Sequence, residues 1–402
     1  MNILIFNCGS SSQGFKLYES SPQAGCRCLA SGKAKNVATY TQAGSSLTWI
    51  IRESRASETI DLPSHTAAAR AILALLKEHA LQIDAIGHRF VHGGSLFDGT
   101  VRIDDLTLAD LRKCLPLAPI HNPNSYSVIE VCLEALPDVP QYAVFDTAFH
   151  AHMPAAASQY ALPAALAEKY GFRKYGFHGL SYQDVTAKTA ALMGKPLDSL
   201  KLIVCHLGTG GSSVAAVKAG RSLDTSMGYS PLPGLVMSTR CGDIDAEIVL
   251  ELIRLGYSPD ELDRLLNTQS GLIGLSGFSS NLEEVIQAAE KGEPYCQTAY
   301  DVYAHRLETY LGSYTWLLGG AHAIVFTDDI GVRSWKLRER VCSGVESLGI
   351  VLDKAANKNA PLDAAARISQ AGSAVQLWVV PNDEESVILQ EVLSLMGQAP
   401  DL

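Results

Sequence analysis

The sequence predicts an α/β protein of two domains, and three observations support this prediction. The chain has 402 residues, whereas domains average roughly 100–200 residues. Hydrophobic residues make up 47% of the chain and charged residues 18%, a composition that suits buried cores and excludes a disordered chain. Short β-leaning runs also alternate with stretches whose apolar residues recur at helical spacing, as in α/β folds.

The predicted elements follow in chain order. Strands are predicted at residues 3–6, 13–18, 202–206, 214–217 and 323–326, and helices at 66–81, 183–193, 246–255, 297–318 and 335–348. One Gly/Ser-rich run joins strand 3–6 to strand 13–18, and another joins strand 202–206 to strand 214–217. Residues 7–12 are called the first Gly/Ser bend and residues 208–213 the second. Their recurrence in the two halves suggests a duplicated architecture, with a Pro/Ala-rich boundary near 152–165.

Charge, cysteine content and hydropathy exclude several classes of protein. The formal net charge is −10, which argues against binding to nucleic acid or to an anionic membrane. The nine cysteines are scattered, as in a reduced compartment. No basic leader is visible, and no apolar run approaches the roughly 18 residues that span a bilayer. We therefore expect a cytoplasmic protein whose partners are small molecules.

Both Gly/Ser bends are candidate phosphate sites, because consecutive backbone N–H groups and hydroxyls can surround an anion. An ordinary hairpin turn is the alternative for either bend. The second bend also imitates a dinucleotide fingerprint, but a strand rather than a helix follows it. The candidate phosphate-binding residues are Ser10, Ser11, Ser12, Gly208, Thr209, Gly210 and Gly211.

Five further segments place an arginine, histidine or aspartate among Gly, Pro and Thr. They are residues 87–94, 118–123, 145–150, 175–179 and 238–245. Any one such side chain is more often structural than catalytic. His150 and His152 could ligate a metal ion, although two ligands without partners are poor evidence.

Taken together and in order, these segments resemble the acetate kinase family along essentially the whole chain. The matching motifs are Asn-x-Gly-Ser-Ser-Ser, His-Arg-x-Val-His-Gly-Gly, Ala-Pro-x-His-Asn-Pro, Phe-Asp-Thr-Ala-Phe-His, Tyr-Gly-Phe-His-Gly and Thr-Arg-Cys-Gly-Asp. The resemblance implies two actin-like domains, each a mixed β-sheet flanked by helices on a duplicated ribonuclease H-like core, with the active site in the interdomain cleft. Residues 1–147 with a C-terminal helix 384–402 would form one domain and 148–383 the other. It also implies a homodimer.

The implied activity is reversible phosphoryl transfer between acetate, or another short carboxylate, and a phosphate donor through acetyl phosphate. By resemblance, Arg89 and Arg240 hold the carboxylate and the transferring phosphoryl group, His178 and His121 donate to its oxygens, and Asp146 orients an arginine or supports the metal. Asn7 and Glu384 would lie near Mg²⁺ or Mn²⁺. The pocket for the substrate methyl group would comprise Val91, Ile120, Phe177 and Pro231. An arginine suits both anions because its planar fork grips two oxygens.

The chain departs from the family on the side of the phosphoryl donor. Gly14 takes the place of the family's lysine, and Lys16 follows on the same face of the strand, roughly 6–7 Å away. Thr209 replaces an asparagine, and an Asp-Phe-Arg segment becomes residues 281–283, Asn-Leu-Glu. A Gly-Ile-Gly-Glu-Asn loop becomes residues 329–333, Asp-Ile-Gly-Val-Arg. The candidate donor-site residues are Asn281, Asp328, Asp329, Gly331 and Arg333, with Lys16 as a candidate phosphate ligand.

These departures lead to a hypothesis about the donor. A carboxylate about 4 Å from a phosphate costs up to about 4 kcal/mol at an effective dielectric constant near 20, so Asp329 disfavours ATP. Similar departures mark a branch of the family that uses pyrophosphate and orthophosphate, and we expect this chain to belong to it. The alternatives are an ordinary ATP-dependent acetate or propionate kinase and an inactive binding or sensing homologue. A sugar kinase of the same superfamily is disfavoured by the carboxylate-side motifs.

Overall fold

The computed structural model of the protein describes residues 1–21, 25–39 and 44–397. They form two compact units. One comprises Met1–Ala151 with the described residues from Asp383 onward, and the other comprises His152–Asn382. The sequence analysis placed these divisions at 147/148 and 383/384.

The first unit contains one sheet and its covering helices. Its strands are β1 (Asn2–Cys8), β2 (Ser12–Ser21), β3 (Gly25–Lys35), β4 (Ser46–Ile51), β5 (Ser54–Thr59), β6 (Ala85–Phe90), β7 (Val101–Arg102) and β8 (Gln141–Phe145). Its first helices are α1 (His65–Glu78), α2 (Asp105–Lys113) and α3 (Asn122–Ala135).

The sheet of the first unit brings the ends of three parallel strands to one edge. Its order is β5-β4-β3-β2-β1-β6-β8-β7. β1 pairs with β2 antiparallel and with β6 parallel, and β6 pairs with β8 parallel. Because parallel strands end at the same edge of a sheet, the chain positions that follow β1, β6 and β8 become neighbours.

The second unit contains a second mixed sheet. Its helices are α4 (Ala155–Ser158), α5 (Ala164–Tyr170), α6 (Gly179–Met193), α7 (Ala246–Arg254), α8 (Pro259–Thr268), α9 (Gly271–Ser276), α10 (Leu282–Glu290), α11 (Pro294–Leu318), α12 (Asp328–Arg333), α13 (Trp335–Cys342) and α14 (Lys354–Lys358). Its strands are β9 (Lys201–Gly208), β10 (Gly211–Lys218), β11 (Arg221–Thr225), β12 (Ala323–Thr327), β13 (Ala366–Arg367) and β14 (Gln376–Val379). The last described helix, α15 (Glu384–Leu395), belongs to the first unit.

The second sheet repeats the pairing scheme of the first. Its order is β11-β10-β9-β12-β14-β13. β9 pairs with β10 antiparallel and with β12 parallel, and β12 pairs with β14 parallel. In both sheets a central strand therefore has a hairpin partner on one side and parallel strands on the other. The predicted fold class, α/β with two mixed sheets flanked by helices, is confirmed.

One predicted element is wrong in detail. The sequence analysis treated the residues after β12 as a polar loop and extended the next helix to residue 348. The structure instead forms α12 directly after β12 and ends α13 at Cys342. Acidic residues in a first helical turn interact favourably with free N–H groups, so Asp328 and Asp329 are compatible with a helix start.

The C-terminal helix α15 covers the sheet of the first unit through a close approach at Gly87. The buried side chains of α15 are those of Val387, Ile388, Leu389, Val392 and Leu393. A Cβ atom on Gly87 in β6 would lie 2.9 Å from Ile388 Cγ2 and 3.0 Å from Val392 Cγ2. The absence of a side chain at Gly87 lets the helix pack directly on the strand that carries Arg89. Among the described residues, no helix combines the length and apolar character that crossing a membrane requires.

We expect Gly87→Ala to lower the free energy of unfolding by about 1–3 kcal/mol, because an added methyl group overpacks the contact between β6 and α15. Urea denaturation measures the change. Gly99→Ala is the matched control, since a Cβ there meets no atom within 4 Å. Equal stability of the two variants would show that α15 does not depend on this close approach.

Candidate functional site

In the first unit, a two-pronged ion pair joins β6 to the residue after β8. Arg89 Nη2 lies 2.6 Å from Asp146 Oδ2, and Arg89 Nε lies 3.1 Å from Asp146 Oδ1. The Asp146 side chain is 1% exposed and that of Arg89 15%. Burial by itself lowers the pKa of Arg89, but the carboxylates of Asp146 and Glu384 outweigh it and raise that pKa. The guanidinium is thus held in one orientation and permanently charged.

Asn7, near the end of β1, links this pair to the start of α15. Its Oδ1 accepts a hydrogen bond from Arg89 Nη1 at 3.0 Å, and its Nδ2 donates to Glu384 Oε2 at 3.2 Å and to Glu385 Oε1 at 3.0 Å. Glu384 Oε2 also lies 3.6 Å from Arg89 Nη1. The structure therefore brings together four predicted site residues of this unit, Asn7, Arg89, Asp146 and Glu384, and adds Glu385.

Lys16, a candidate phosphate ligand, is engaged with carboxylates. Its Nζ lies 2.7 Å from Asp383 Oδ1 and 3.6 Å from Glu385 Oε2. Burial opposes its charge, yet these acids outweigh burial and raise the pKa of Lys16. A Cβ atom on Gly14 would lie 3.3 Å from Glu385 Oε1. The position of the family's lysine therefore faces the same carboxylate that Lys16 approaches, and a phosphate would have to compete with two acids for Lys16.

Two buried polar side chains connect the remaining motif segments of the first unit. Asn122, which is fully buried, accepts from the backbone N–H of His92 at 3.1 Å and donates to the His92 carbonyl at 3.0 Å. Thr147 Oγ1 accepts from the N–H of Gly93 at 3.1 Å. These bonds position the segment that contains buried Val91, and they fix the start of α3 next to His121.

Other predicted residues of the first unit lie at its surface. Ile120 is 55% exposed, and Ser10 and Ser11 in the first Gly/Ser bend are exposed while Ser12 is half-buried. The Gly9 N–H donates to the Ser12 carbonyl at 2.8 Å, which closes the bend. The structure assigns no role to these side chains, and their predicted roles stay predictions.

In the second unit, the segment before Arg240 is held by backbone hydrogen bonds to the start of α9. The N–H of Ser270 donates to Thr239 O at 3.0 Å, and that of Leu272 donates to Met237 O at 2.9 Å. A Cβ atom on Gly271, whose φ is +65°, would lie 2.2 Å from Met237 O. Only glycine tolerates both this backbone angle and this contact. Gly271 thus positions the loop that carries Arg240.

Arg240 has no carboxylate partner among the described residues; its Nη1 lies 3.8 Å from Met237 Sδ. Burial lowers the pKa of Arg240, although an arginine remains charged in proteins. A Cβ atom on Gly211 would lie 3.2 Å from Arg240 Nη1 and 3.4 Å from His178 Nε2. The two predicted catalytic side chains therefore converge above the second Gly/Ser bend. A partly buried cation without a carboxylate is suited to an anionic ligand.

The second Gly/Ser bend already contacts two carboxylates of the chain. Asp329 Oδ1 accepts from the N–H of Thr209 at 2.8 Å, and Asp329 Oδ2 from the Thr209 hydroxyl at 2.5 Å. Asp328, at φ +64°, lies with Oδ2 3.1 Å from His206 Nε2. Its Oδ2 is also so near Gly208 that any Cβ there would clash. Thr209 thus has its backbone donor and its hydroxyl engaged by an internal acid.

The remaining candidate donor-site residues and their neighbours are engaged in contacts within the second unit or are exposed. Asn281 caps α10, its Oδ1 accepting from the N–H groups of Glu283 at 2.9 Å and Glu284 at 3.3 Å. Gly331 is buried and Arg333 exposed. Arg338, which is 1% exposed, donates through Nη1 to the carbonyls of Gly331 and Val332, both at 2.8 Å.

The predicted methyl pocket has two members in this unit. Phe177 is 2% exposed and Pro231 half-buried. The N–H of Gly176, the residue before Phe177, donates to Gly228 O at 3.2 Å. Their predicted contact with substrate stays a prediction.

Comparison with known proteins identifies the family of this chain. The model of the acetokinase family matches residues 2–390. The acetate kinase of Dictyoglomus thermophilum is 42% identical over 407 aligned positions, covering 99% of this chain and 100% of that protein. The chain belongs to the acetokinase family. Among solved structures, the acetate kinase of Porphyromonas gingivalis is 36% identical with a TM-score of 0.88, covering 98% of this chain and 99% of that one. A propionate kinase from Francisella tularensis is 36% identical with a TM-score of 0.87, covering 97% and 98%.

This similarity also defines the fold of the acetokinase chain, which is the actin-like fold of its solved relatives. Sequence reasoning identified Arg89, Asp146, His178 and Arg240 from motifs. It missed Glu385 and Asp383, whose acidic run with Glu384 before an apolar helix was the available signal. It also missed His206, which lies two residues before the second Gly/Ser bend.

We expect Asp146→Ala to lower the free energy of unfolding of this acetokinase by about 3 kcal/mol, because it leaves Arg89 as a largely buried charge without its main partner. Urea denaturation measures the loss. The matched control is Glu134→Ala, which breaks a pair with Arg70 whose side chains are 73% and 62% exposed. That change should cost less than about 1 kcal/mol. Equal losses in the two variants would contradict the anchoring role of Asp146.

Proposed function

We propose that this protein is an acetate kinase, which transfers a phosphoryl group reversibly between a phosphate donor and acetate, or a similar short carboxylate, through acetyl phosphate. The observation that carries the proposal is the guanidinium of Arg240, partly buried, without a carboxylate partner among the described residues, and next to His178. Family membership over residues 2–390 and relatives that bear the name acetate kinase support it.

The chemistry needs positioned cations more than it needs a base. A carboxylic acid with a pKa near 4–5 is already an anion at neutral pH, so the nucleophile requires no deprotonation. The difficulty is to hold two anions together in line, which positioning and electrostatic stabilisation achieve. Arg240 and His178 are suited to bind the transferring phosphoryl group. Arg89, held by Asp146 and Asn7, is suited to bind one of the anions in a fixed orientation.

A divalent cation fits the residues at the start of α15. Mg²⁺ prefers oxygen ligands and is usually bound by one or two carboxylates together with substrate phosphates and water. Glu384 and Glu385 supply two carboxylates, both within hydrogen-bond distance of Asn7 Nδ2. Among the described residues no cluster of three or more His, Cys, Asp or Glu forms a complete metal site, which suits an ion completed by substrate. Mg²⁺ or Mn²⁺ there would neutralise the charge of the donor phosphates.

We expect the carboxylate substrate to be one of a narrow range of short carboxylic acids. Val91, Ile120, Phe177 and Pro231 are proposed to contact the substrate alkyl group. A pocket of this kind separates acids that differ by one methylene by only about 1–3 kcal/mol. A solved relative is named a propionate kinase. Propionate is therefore a reasonable second substrate.

For the donor, the ordinary ATP-dependent reaction agrees best with the named relatives, which are called acetate kinases without qualification. Pyrophosphate is the second candidate, and one observation favours it. The Asp329 carboxylate occupies the N–H and hydroxyl of Thr209, and a nucleotide phosphate at this bend would have to displace it. Like charges about 4 Å apart repel by up to about 4 kcal/mol at an effective dielectric constant near 20.

A homodimer and a cytoplasmic location are further proposals. All nine cysteines lie within the described residues and are free of disulfides, as expected in a reduced compartment. Size-exclusion chromatography with light scattering would test the dimer: a mass near twice the 43.1 kDa of one chain supports it.

We expect purified protein with Mg²⁺ to consume acetyl phosphate, and the acceptor identifies the donor of the reverse reaction. ADP and orthophosphate are compared in the same assay. ATP formation with ADP supports the ordinary kinase. Loss of acetyl phosphate that depends on orthophosphate and yields pyrophosphate supports the second candidate. If acetyl phosphate is consumed neither with ADP nor with orthophosphate, the result favours an inactive sensing homologue and overturns the proposal.

If Asp329 restricts the nucleotide, Asp329→Gly should raise the rate with ADP relative to the rate with orthophosphate by about tenfold or more. Hydrogen bonds to a charged group contribute about 1.5–3 kcal/mol, and about 1.4 kcal/mol corresponds to tenfold. Asp353→Gly is the control, because Asp353 also accepts from two backbone N–H groups, those of Ala355 and Ala356. An unchanged ratio in Asp329→Gly would remove the argument for pyrophosphate.

A further inference from the structure

Two hydroxyl groups connect His178 to the interior of the second unit. His178 precedes α6 with a φ of +62°, and its Nδ1 lies 2.8 Å from Ser213 Oγ in β10. Tyr182, one turn further along α6, places its Oη within hydrogen-bond distance of the same Oγ. Tyr182 is 0% exposed. Ser213 therefore bridges a buried phenol and the imidazole.

The direction of these bonds decides which nitrogen of His178 carries the proton. A buried phenol loses free energy when its O–H has no acceptor. The Tyr182 hydroxyl interacts with the side chains of both Ser213 and Thr225, and in the proposed arrangement it donates to Ser213 Oγ. The single hydrogen of Ser213 is then directed to His178 Nδ1. An imidazole nitrogen that accepts a hydrogen bond carries no proton, so the neutral ring has its proton on Nε2.

The neighbouring histidine has a comparable arrangement, in which the direction of the hydrogen bonds is fixed. The rings of His178 and His206 stack with centroids 4.0 Å apart. Ser181 Oγ accepts from Asn382 Nδ2 at 3.0 Å and lies 2.8 Å from His206 Nδ1. Because an amide NH₂ can only donate, the Ser181 hydrogen is available to His206 Nδ1. The Nε2 of His206 then donates to the Asp328 carboxylate at 3.1 Å.

His206 thus illustrates what His178 is arranged to do. In each case a serine faces Nδ1, and for His206 an anion faces Nε2. The Nε2 of His178 lies above Gly211, beside Arg240 Nη1. In the opposite tautomer a lone pair of His178 would face this position and repel the oxygens of an anion held by Arg240.

We propose that Ser213 and Tyr182 are positioning residues, which hold His178 as the neutral Nε2–H tautomer so that it donates a hydrogen bond to the anion bound at Arg240. This inference rests on the proposed phosphoryl transfer for its catalytic consequence. The tautomer itself does not depend on that function and can be measured without substrate.

The first experiment determines the tautomer by NMR. Protein with ¹⁵N-labelled histidine is examined at about pH 8.5, well above the ordinary imidazole pKa of about 6.5, and His178→Gln assigns the signals of His178. We expect a protonated Nε2 and an unprotonated Nδ1. A proton on Nδ1 overturns the proposal, whether or not the protein is active.

The second experiment measures acetyl phosphate turnover in Ser213→Ala and Tyr182→Phe, with the acceptor that the wild type uses. Removing one preorganised donor commonly lowers kcat by about 10²–10³-fold. We expect a loss of about 10–100-fold, because a mixture of tautomers keeps part of the donor, while KM changes less than about threefold. The His178 signals should shift toward the other tautomer in both variants, and Ser213→Thr, which keeps the hydroxyl, should restore both properties.

Thr189→Ala is the matched control. Thr189 lies in α6 like Tyr182 and is equally buried, and its Oγ1 donates to Val185 O within the helix instead. A kcat in Tyr182→Phe and Ser213→Ala equal to that of Thr189→Ala would overturn the proposal. A wild type that is inactive with both acceptors would instead refute the proposed function, and the tautomer measurement would still decide the role of Ser213.

Discussion

The organisation of the first unit depends on the ion pair between Arg89 and Asp146. Arg89 lies in β6 and Asp146 directly follows the neighbouring parallel strand β8, so their distance is set by the register of the sheet. Asp146 binds one side of the guanidinium through two oxygens, and Asn7 binds the other. Asn7 in turn holds both glutamates at the start of α15. One buried interaction thereby links three strands to the last described helix, and it fixes the orientation of the charged Arg89 guanidinium.

Arg240 in the second unit has the opposite electrostatic surroundings to Arg89. Arg240 is positioned by the backbone of its own loop, through Gly271, and no carboxylate among the described residues neutralises it. Two acids of this unit lie at the second Gly/Ser bend, where Asp329 binds Thr209 and Asp328 binds His206. The guanidinium of Arg240 has no carboxylate partner among the described residues, whereas Asp329 already occupies the donors of Thr209. An anionic ligand is therefore expected to bind at Arg240 and His178 rather than at Thr209. This distribution of charge is the physical basis for asking which donor the enzyme uses.

The motifs made much of this arrangement predictable. Arg89, Asp146, His178 and Arg240 were identified from short segments in which a functional side chain lies among Gly, Pro and Thr. The repeated strand–bend–strand pattern likewise indicated the two related sheets. The pairing of Lys16 with Asp383 and Glu385 could not be predicted in this way, because its partners lie more than 360 positions away in the chain. The helix α12 was missed because a short polar segment carries no periodicity to read.

The sequence by itself determined the α/β class, the family and the identity of the principal charged side chains, because each of these depends on local residue order. Only the tertiary structure decided which charges are neutralised and which stay available. The sequence marks both Lys16 and Arg240 as candidate ligands of an anion, yet one is held by two acids and the other by none among the described residues. That difference arises from the packing of distant segments, as does the stacking of His178 on His206. Electrostatic surroundings are a property of three-dimensional distance, which the order of residues along a chain does not specify.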